Sequence, residues 1–164
     1  MKDNIAICPG SFDPITLGHI DIISRSAKMF SKVIVVVMSN VYKTGGSFTV
    51  EERVEMIKKA VSHIENVEVD HYEGLLAQYA AEKKASAIVK GLRAVTDFEY
   101  EFQMALTNKK LNPDVETLFL TTSAENMYLS SSMVKQIASM GGDITDFVPP
   151  AIHDDIVKRL KKEG

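Results

Sequence analysis

Short runs of apolar residues alternate with longer amphipathic segments along this chain. The run from Val33 to Met38 is apolar at every position, which is typical of a strand that is covered on both faces of a parallel sheet. The run Val67-Glu68-Val69 is the weakest of the set. Together the pattern predicts five β-strands, over residues 5–8, 33–38, 67–69, 87–89 and 117–120.

The segments between these runs have the spacing of helices. Apolar residues recur every three or four positions over residues 18–30, as they do on one face of an α-helix. Thr49-Val50-Glu51-Glu52 has the form of a capping box, in which a threonine and a glutamate satisfy the first backbone amides of a helix. The same reasoning predicts helices over residues 75–84, 98–110 and 131–140, and a last one from Pro149-Pro150 to about residue 162.

Strands and helices therefore alternate from the first strand to the fifth, and a C-terminal helix follows. This order predicts an α/β fold with a doubly wound, five-stranded parallel sheet of Rossmann-like type. A length of 164 residues predicts one domain that spans residues 1–164. Ligands of such sheets bind beyond the carboxyl ends of the strands, near the point where the strand order reverses. The loops that follow strands are therefore where a site is expected.

Charge and composition narrow the classes of function. The chain has 19 Lys and Arg against 22 Asp and Glu, a formal net charge of -3, which argues against a broad basic surface for nucleic acid. No segment approaches the ~20 apolar residues of a membrane span, and residues 1–8 lack the pattern of a signal peptide. A cytoplasmic protein without nucleic-acid or membrane partners is expected. The single cysteine, Cys8, excludes an internal disulfide and a CxxC metal site.

The loop after the first strand combines several groups that suit an anion. Gly10 and Ser11 come first, and Gly18-His19 falls at the start of the next helix, where backbone amides and the helix dipole favour negative charge. Neither a GxGxxG fingerprint nor a GxxxxGK[ST] phosphate loop occurs. The alternative is a plain turn, with His19 at an ordinary helix end.

Other strand-following loops add cations and hydroxyls. Lys90-Gly91-Leu92-Arg93 follows the fourth strand, Ser130 to Ser132 follow the fifth, and Lys43 follows the second. Each alone has a simpler explanation, since basic turns are often solvated and a serine often caps a helix. Gathered at one edge of a sheet, however, they predict a polyphosphate site. No acidic cluster with the spacing of metal ligands is present, so any Mg²⁺ is expected to be held mainly by substrate phosphates and water.

The same segments resemble those of a known superfamily. Gly10 to Pro14 followed by Thr16-Leu17-Gly18-His19 resembles the (H/T)xGH signature of the nucleotidyltransferases. Ser130 to Lys135 resembles their second signature, a serine-rich segment that ends in a basic residue. Lys90 to Glu101 resembles the corresponding segment of one subgroup, the bacterial pantetheine-phosphate adenylyltransferases. The similarity runs from about residue 5 to residue 150, which is nearly the whole chain.

This resemblance implies a nucleotidyltransferase fold and a reaction of coenzyme A synthesis. ATP and 4′-phosphopantetheine would give dephospho-coenzyme A and pyrophosphate, with Mg²⁺. The phosphate of phosphopantetheine would attack the α-phosphorus of ATP in line, without a covalent enzyme intermediate. A homohexamer and feedback inhibition by coenzyme A are also implied.

The resemblance also implies roles for individual residues of this chain that match the family's functional positions. His19, Lys43 and Arg93 would be catalytic: His19 would stabilise the transition state at the α-phosphate, and Lys43 would bridge that phosphate and the attacking one. No residue is implied as a metal ligand. Phosphopantetheine would contact Ser11, Lys43, Leu76, Lys90 and Asn108. ATP would contact Ser11, Phe12, His19, Gly91, Leu92, Arg93, Glu101, Asn126, Met127, Tyr128, Leu129, Ser130, Ser131 and Ser132.

Two alternatives remain open from the sequence. One is a sister nucleotidyltransferase that uses CTP, or another acceptor such as nicotinamide mononucleotide. The other is a nucleotide-binding module without catalysis. The segment Phe98-Glu99-Tyr100-Glu101 favours the adenylyltransferase over the first. The presence of His19 and its basic partners argues against the second.

Overall fold

The computed structural model of the chain describes residues 3–40, 46–94 and 98–161. Its elements follow the alternation that the sequence predicts. The strands are β1 (Ile5–Gly10), β2 (Lys32–Ser39), β3 (Val67–Glu73), β4 (Ala87–Leu92) and β5 (Glu116–Thr121). The α-helices are α1 (Leu17–Met29), α2 (Val50–Val61), α3 (Leu76–Glu82), α4 (Phe98–Leu111), α5 (Ser131–Ser139) and α6 (Pro150–Leu160).

The strands form one parallel sheet in the order β3-β2-β1-β4-β5. The chain starts in the middle of the sheet at β1, builds outward through β2 to β3, and then returns to β4 on the other side of β1. The strand order therefore reverses between β1 and β4, which is where a crevice opens in doubly wound sheets. The prediction of a doubly wound α/β fold is confirmed.

Both faces of the sheet are covered, as the continuous apolar run in β2 predicts. Val33, Val35 and Val37 point into the larger core cluster, together with buried residues of α1, α2, α5 and α6. Ile34 and Val36 point into the smaller cluster, together with α3. All five of these side chains are at most 3% exposed, because successive side chains of a strand point to opposite faces.

Three strands continue two or more residues beyond the C-terminal end of their predicted apolar runs. β3 continues to Glu73, although residues 70–73 are mostly polar, because it lies at the edge of the sheet and is only partly buried. β1 continues through Pro9 to Gly10, and β4 continues to Leu92. These two extensions carry the first residues of the loops in which a site is expected.

Helix starts are set by local side-chain contacts. Thr49 caps α2 as predicted: its hydroxyl accepts from the amide of Glu52, and the Glu52 carboxylate accepts from the amide of Thr49. Ser130 caps α5 by accepting from the amide of Met133. α6 begins at Pro150, a residue that has no amide to be left unpaired in the first turn. In the described part of the chain, no helix is long and apolar enough to cross a membrane.

Candidate active site

A cavity of about 400 Å³ opens between the carboxyl ends of β1 and β4. It therefore lies at the reversal of strand order, where the sequence predicts ligand binding. Three of the four loops singled out in the sequence meet there: the loop after β1, the end of β4 and the start of α5. The wall includes Ser11, Phe12, His19, Lys90, Gly91, Arg93, Glu101, Leu129, Ser130, Ser131 and Ser132.

His19 is held in the first turn of α1 by a capping box of unusual composition. Its backbone amide donates to the hydroxyl of Thr16, which is the cap residue. Its ring nitrogen Nδ1 lies 3.0 Å from the amide nitrogen of Thr16. Because a backbone N–H can only donate, Nδ1 must accept and carries no proton. The neutral ring therefore keeps its proton on Nε2.

The surroundings of His19 keep its ring neutral. Burial lowers the pKa of His19, and the positive charges of Arg93 and Lys90 lower it further, to about 4. A free histidine has a pKa of about 6.5. At neutral pH His19 is therefore a hydrogen-bond donor without a charge, beside two side chains that supply positive charge. This combination suits a group that carries negative charge, such as a phosphate.

Phe12 packs against His19 and shapes the loop after β1. The two ring centroids are 5.0 Å apart in an edge-on arrangement. Phe12 is 5% exposed and has a φ of 48°, a left-handed conformation that is uncommon for residues other than glycine. A Cβ at Gly10 would meet the Phe12 ring at 3.1 Å. The missing side chain at Gly10 therefore makes room for this ring.

The start of α5 is tied to the neighbouring loops. Arg93 donates from Nη1 to the carbonyl of Leu129 at 2.8 Å. The hydroxyl of Ser131 donates to the carbonyl of Pro14 at 2.7 Å, and Ser130 is used as the cap. The sequence suggested that three serines would leave spare hydroxyls for an anion. In the structure the O–H of Ser131 is taken by the carbonyl of Pro14, whereas the cap contact of Ser130 uses only its oxygen as an acceptor and leaves its O–H as a donor.

A second cavity of about 130 Å³ adjoins the first. Lys90 and Glu101 line both cavities, and the ammonium of Lys90 lies 3.4 Å from a carboxylate oxygen of Glu101. This ion pair therefore stands at the junction. The rest of the second wall is a mixture of apolar and polar side chains, namely Leu76, Ile88, Tyr100, Met104, Ala105, Asn108 and Thr117.

The sequence-predicted site residues fall into four groups. Most of those expected to contact ATP line the first cavity, and Leu76, Lys90 and Asn108 line the second. Lys43 lies outside the described residues. Four further expected contacts do not line either of these two cavities: Leu92, Asn126, Met127 and Tyr128. Of these, Tyr128 packs edge-on against Phe147, with 6.3 Å between ring centroids.

Sequence reasoning missed two kinds of residue. Tyr100 and Met104 line the second cavity together with Asn108, and their spacing of four residues places all three on one face of α4. Helical spacing from Asn108 could have found them. Asp13 lies in the first signature but was given no role of its own, yet it is 8% exposed and accepts hydrogen bonds from residues 47 and 48. No local sequence pattern indicates such a distant contact.

The geometry supports charge stabilisation and positioning. The first turns of α1 and α5 both line the first cavity. Helix N-termini favour anions. Lys90, Arg93 and the Nε2–H of His19 add donors. Cys8 also lines the cavity, but burial raises the pKa of its thiol to about 12, so it is not a thiolate nucleophile at neutral pH.

Comparison with known proteins identifies the family and the fold. Residues 7–137 match the cytidylyltransferase-like family. Among solved structures, a bifunctional NMN adenylyltransferase/ADP ribose pyrophosphatase of Francisella tularensis has a TM-score of 0.72 at 15% identity, over 99% of this chain and 51% of that one. A nicotinic acid mononucleotide adenylyltransferase of Plasmodium falciparum has a TM-score of 0.60 at 16% identity, over 96% of each chain. At such low identity these structures show the fold alone.

Curated relatives are far more similar in sequence. The phosphopantetheine adenylyltransferase of Caldanaerobacter subterraneus is 56% identical over 158 residues, which are 96% of this chain and 98% of that protein. That of Clostridium botulinum is 57% identical over 157 residues, with the same coverage. That of Heliobacterium modesticaldum is 57% identical over 148 residues, covering 90% and 88%. The chain therefore belongs to the phosphopantetheine adenylyltransferase family, within the wider cytidylyltransferase-like family.

Proposed function

We propose that this chain transfers the adenylyl group of ATP to 4′-phosphopantetheine. The products are dephospho-coenzyme A and pyrophosphate. Relatives that carry this activity in their names match the chain at more than half of its positions over nearly its full length. The observation that carries the proposal within the structure is the pair of adjoining cavities, which share Lys90 and Glu101.

The two cavities suit the two substrates. The first has two helix N-termini, two cations and a neutral histidine, and it can hold the triphosphate of a nucleotide. The second is smaller and has apolar groups from Leu76 and Met104 beside the polar Asn108, which suit a chain of methylenes and amides. Lys90 lies at the junction, where the terminal phosphate of that chain would meet the α-phosphate of ATP.

The reaction requires one bond to form and one to break. A phosphate oxygen of 4′-phosphopantetheine attacks the α-phosphorus of ATP, and the bond from that phosphorus to the bridging oxygen of pyrophosphate breaks. His19 donates from Nε2 to an oxygen of the α-phosphate, whose negative charge grows during the transfer. Arg93 and Lys43 contribute positive charge to the same group. The protein thus stabilises charge and aligns the substrates, and no side chain forms a covalent bond to them.

Mg²⁺ is proposed as the cofactor, held mainly by the phosphates of ATP. Among residues 3–40, 46–94 and 98–161 there is no cluster of three His, Cys, Asp or Glu that could hold a metal ion by itself. A polyphosphate ligand fits this donor set, because Mg²⁺ keeps most of its coordination for waters and phosphate oxygens. When bound, the ion would neutralise charge on the triphosphate.

Self-association into a homohexamer is also proposed. Helix α4 exposes several large apolar side chains, among them Phe98, Phe102 and Leu106, which are 49–57% exposed and four residues apart. Such spacing forms one stripe along the helix, and a contiguous exposed apolar stripe marks an interaction surface. Further copies of this chain would cover it.

Two further expectations follow from the family. Coenzyme A shares the pantetheine arm of the acceptor, so it is proposed to compete at the second cavity as a feedback inhibitor. The cytoplasm is proposed as the site of action, since ATP and the acceptor are used there.

A pyrophosphate-release assay tests the proposed function. Purified protein with Mg²⁺ and ATP is expected to release pyrophosphate only when 4′-phosphopantetheine is added, and mass spectrometry should detect dephospho-coenzyme A. CTP in place of ATP, and nicotinamide mononucleotide in place of the acceptor, serve as controls. Faster turnover with either control would favour a sister nucleotidyltransferase. ATP binding without turnover of any pair would favour a non-catalytic module.

A further inference from the structure

Asp13 is a buried carboxylate for which the proposed reaction has no use. It lies in the loop between β1 and α1, within the first signature, and is 8% exposed. Its two oxygens accept from three donors: the amide of Ser47 at 2.9 Å, the amide of Phe48 at 3.0 Å and the ammonium of Lys135 at 3.0 Å. One carboxylate therefore joins its own loop to the segment before α2 and to α5.

Lys135 brings the second signature into this contact. It lies four residues after Ser131 on α5, so that the two side chains are on the same face, one turn apart. Ser131 donates to the carbonyl of Pro14, and Lys135 donates to Asp13. Two adjacent residues of the first signature are thus held by two residues of the second. We call the Asp13–Lys135 ion pair the signature clamp.

Asp13 and Lys135 compensate each other's charge in a largely buried position. The side chains of Asp13 and Lys135 are only 11% and 30% exposed. Burial alone would raise the pKa of Asp13, but the amides of Ser47 and Phe48 and the ammonium of Lys135 outweigh it and lower that pKa. Removal of either partner of a buried pair leaves the other charge uncompensated. The positive charge of Lys135 is therefore already matched inside the protein.

The signature clamp lies next to two walls of the first cavity. Ser11 and Phe12, immediately before Asp13, and Ser131 and Ser132, at the start of α5, line that cavity. The clamp lies behind them and connects the two walls. A shift of one wall against the other would move the helix N-terminus of α5 relative to His19.

We propose that Lys135, the basic residue that closes the second signature, is a positioning residue that acts on the nucleotide through Asp13 and does not bind a phosphate itself. This inference rests on the proposed function only for the identity of the nucleotide. The clamp sets the distance between the loop after β1 and the start of α5. Loss of the clamp weakens nucleotide binding as a whole, with no preference for one phosphate.

A double-mutant cycle tests the clamp. The variants are Asp13→Asn, Lys135→Met and the pair, and the readouts are the Kd of ATP by calorimetry and kcat and KM in the pyrophosphate assay. Each single variant is expected to weaken ATP binding about tenfold or more, because it leaves a buried polar group without its partner. The pair is expected to bind ATP much better than the product of the two losses, because contacting residues are coupled. Independent losses that multiply in the pair would overturn the proposal.

A series of nucleotides with Lys135→Met alone decides the question even where Asp13→Asn does not fold. The affinities for AMP, ADP and ATP are expected to fall by the same factor, and Lys135→Arg, which keeps the cation, should stay within about threefold of the wild type. A loss confined to the nucleotides that carry one particular phosphate would make Lys135 a direct phosphate ligand and contradict the proposal. These binding measurements need no turnover, so a wrong assignment of the reaction would appear separately, as wild-type protein that binds ATP but releases no pyrophosphate.

Discussion

The backbone amide of Thr16 donates to Nδ1 of His19, and this decides which ring nitrogen can donate to a phosphate. The amide of Thr16 occupies Nδ1, so only the Nε2–H remains as a donor. The (H/T)xGH pattern of the sequence points to His19, but it does not reveal the tautomer. The tautomer follows from the capping box in the first turn of α1, in which Thr16 is the cap.

Two substitutions of His19 separate the roles of its nitrogens. The amide nitrogen of glutamine can reach the position of Nε2, whereas that of asparagine reaches only the position of Nδ1. His19→Gln is therefore expected to retain more kcat than His19→Asn, and the latter to lose about 10²- to 10³-fold, as for the loss of one transition-state donor. Steady-state pyrophosphate release measures both. Equal losses, or a smaller loss for His19→Asn, would contradict donation from Nε2.

The lowered pKa of His19 predicts how stability depends on pH. Its pKa is about 4 in the folded protein and about 6.5 in the unfolded chain. Between these values the unfolded chain binds more protons, so the free energy of unfolding falls as the pH is lowered. His19→Gln is expected to lose less stability than the wild type between about pH 7 and about pH 5. Urea unfolding at both pH values checks this, and identical losses would show that the folded-state pKa is not lowered.

At the scale of elements, Lys90 at the end of β4 and Glu101 on α4 meet where the two cavities join. Lys90→Met is expected to raise the KM for 4′-phosphopantetheine about tenfold or more, because a charged donor to a phosphate is lost. Its effect on the KM for ATP should be smaller. Lys90→Arg is the matched control, since it keeps the charge and adds a planar fork. A rise in the KM for ATP alone would show that Lys90 does not bind the acceptor phosphate.

The cap of α2 offers a prediction that concerns stability alone. Thr49 accepts from the amide of Glu52 and does not line either cavity. Thr49→Ala is expected to lower the free energy of unfolding by about 1 kcal/mol, with kcat and both KM values unchanged. Thr49→Ser, which keeps the hydroxyl, is the control. A change in kcat would show that α2 influences the site through Arg53, which donates to the carbonyl of Ser11.

At the scale of the whole molecule, α4 presents its apolar stripe away from both cores. Phe102→Glu places a charge on that stripe. If the chain forms the proposed hexamer, of about six times the 18.1 kDa of one chain, this variant is expected to shift the mass in solution toward smaller species, since a charge in an apolar interface is costly. Light scattering after size-exclusion chromatography measures the mass. Ala151→Glu, at an exposed position on α6, is the control. A wild type with the mass of one chain would contradict the hexamer, and a Phe102→Glu variant that keeps a hexamer mass would place the interface elsewhere.

Much of the fold follows from the sequence because its signals are local. The apolar run of β2 predicts a strand buried on both faces, and Thr49 with Glu52 predicts the start of α2. The polar second half of β3 could not be predicted, because pairing with β2 holds residues 70–73 in the strand. For the same reason β4 includes Lys90 and Gly91, which pair with β5.

The sequence by itself determined the α/β order, the loops that carry the site and the family to which the chain belongs, since these depend on spacing and residue type. Only the tertiary structure decided which ring nitrogen of His19 carries the proton, where the two cavities join, and that Asp13 contacts Lys135. Asp13 and Lys135 are 122 positions apart in the chain, and no local pattern encodes which buried charge will meet another across such a distance. The strand order brings them together, and the cost of burying an unpaired charge keeps them paired.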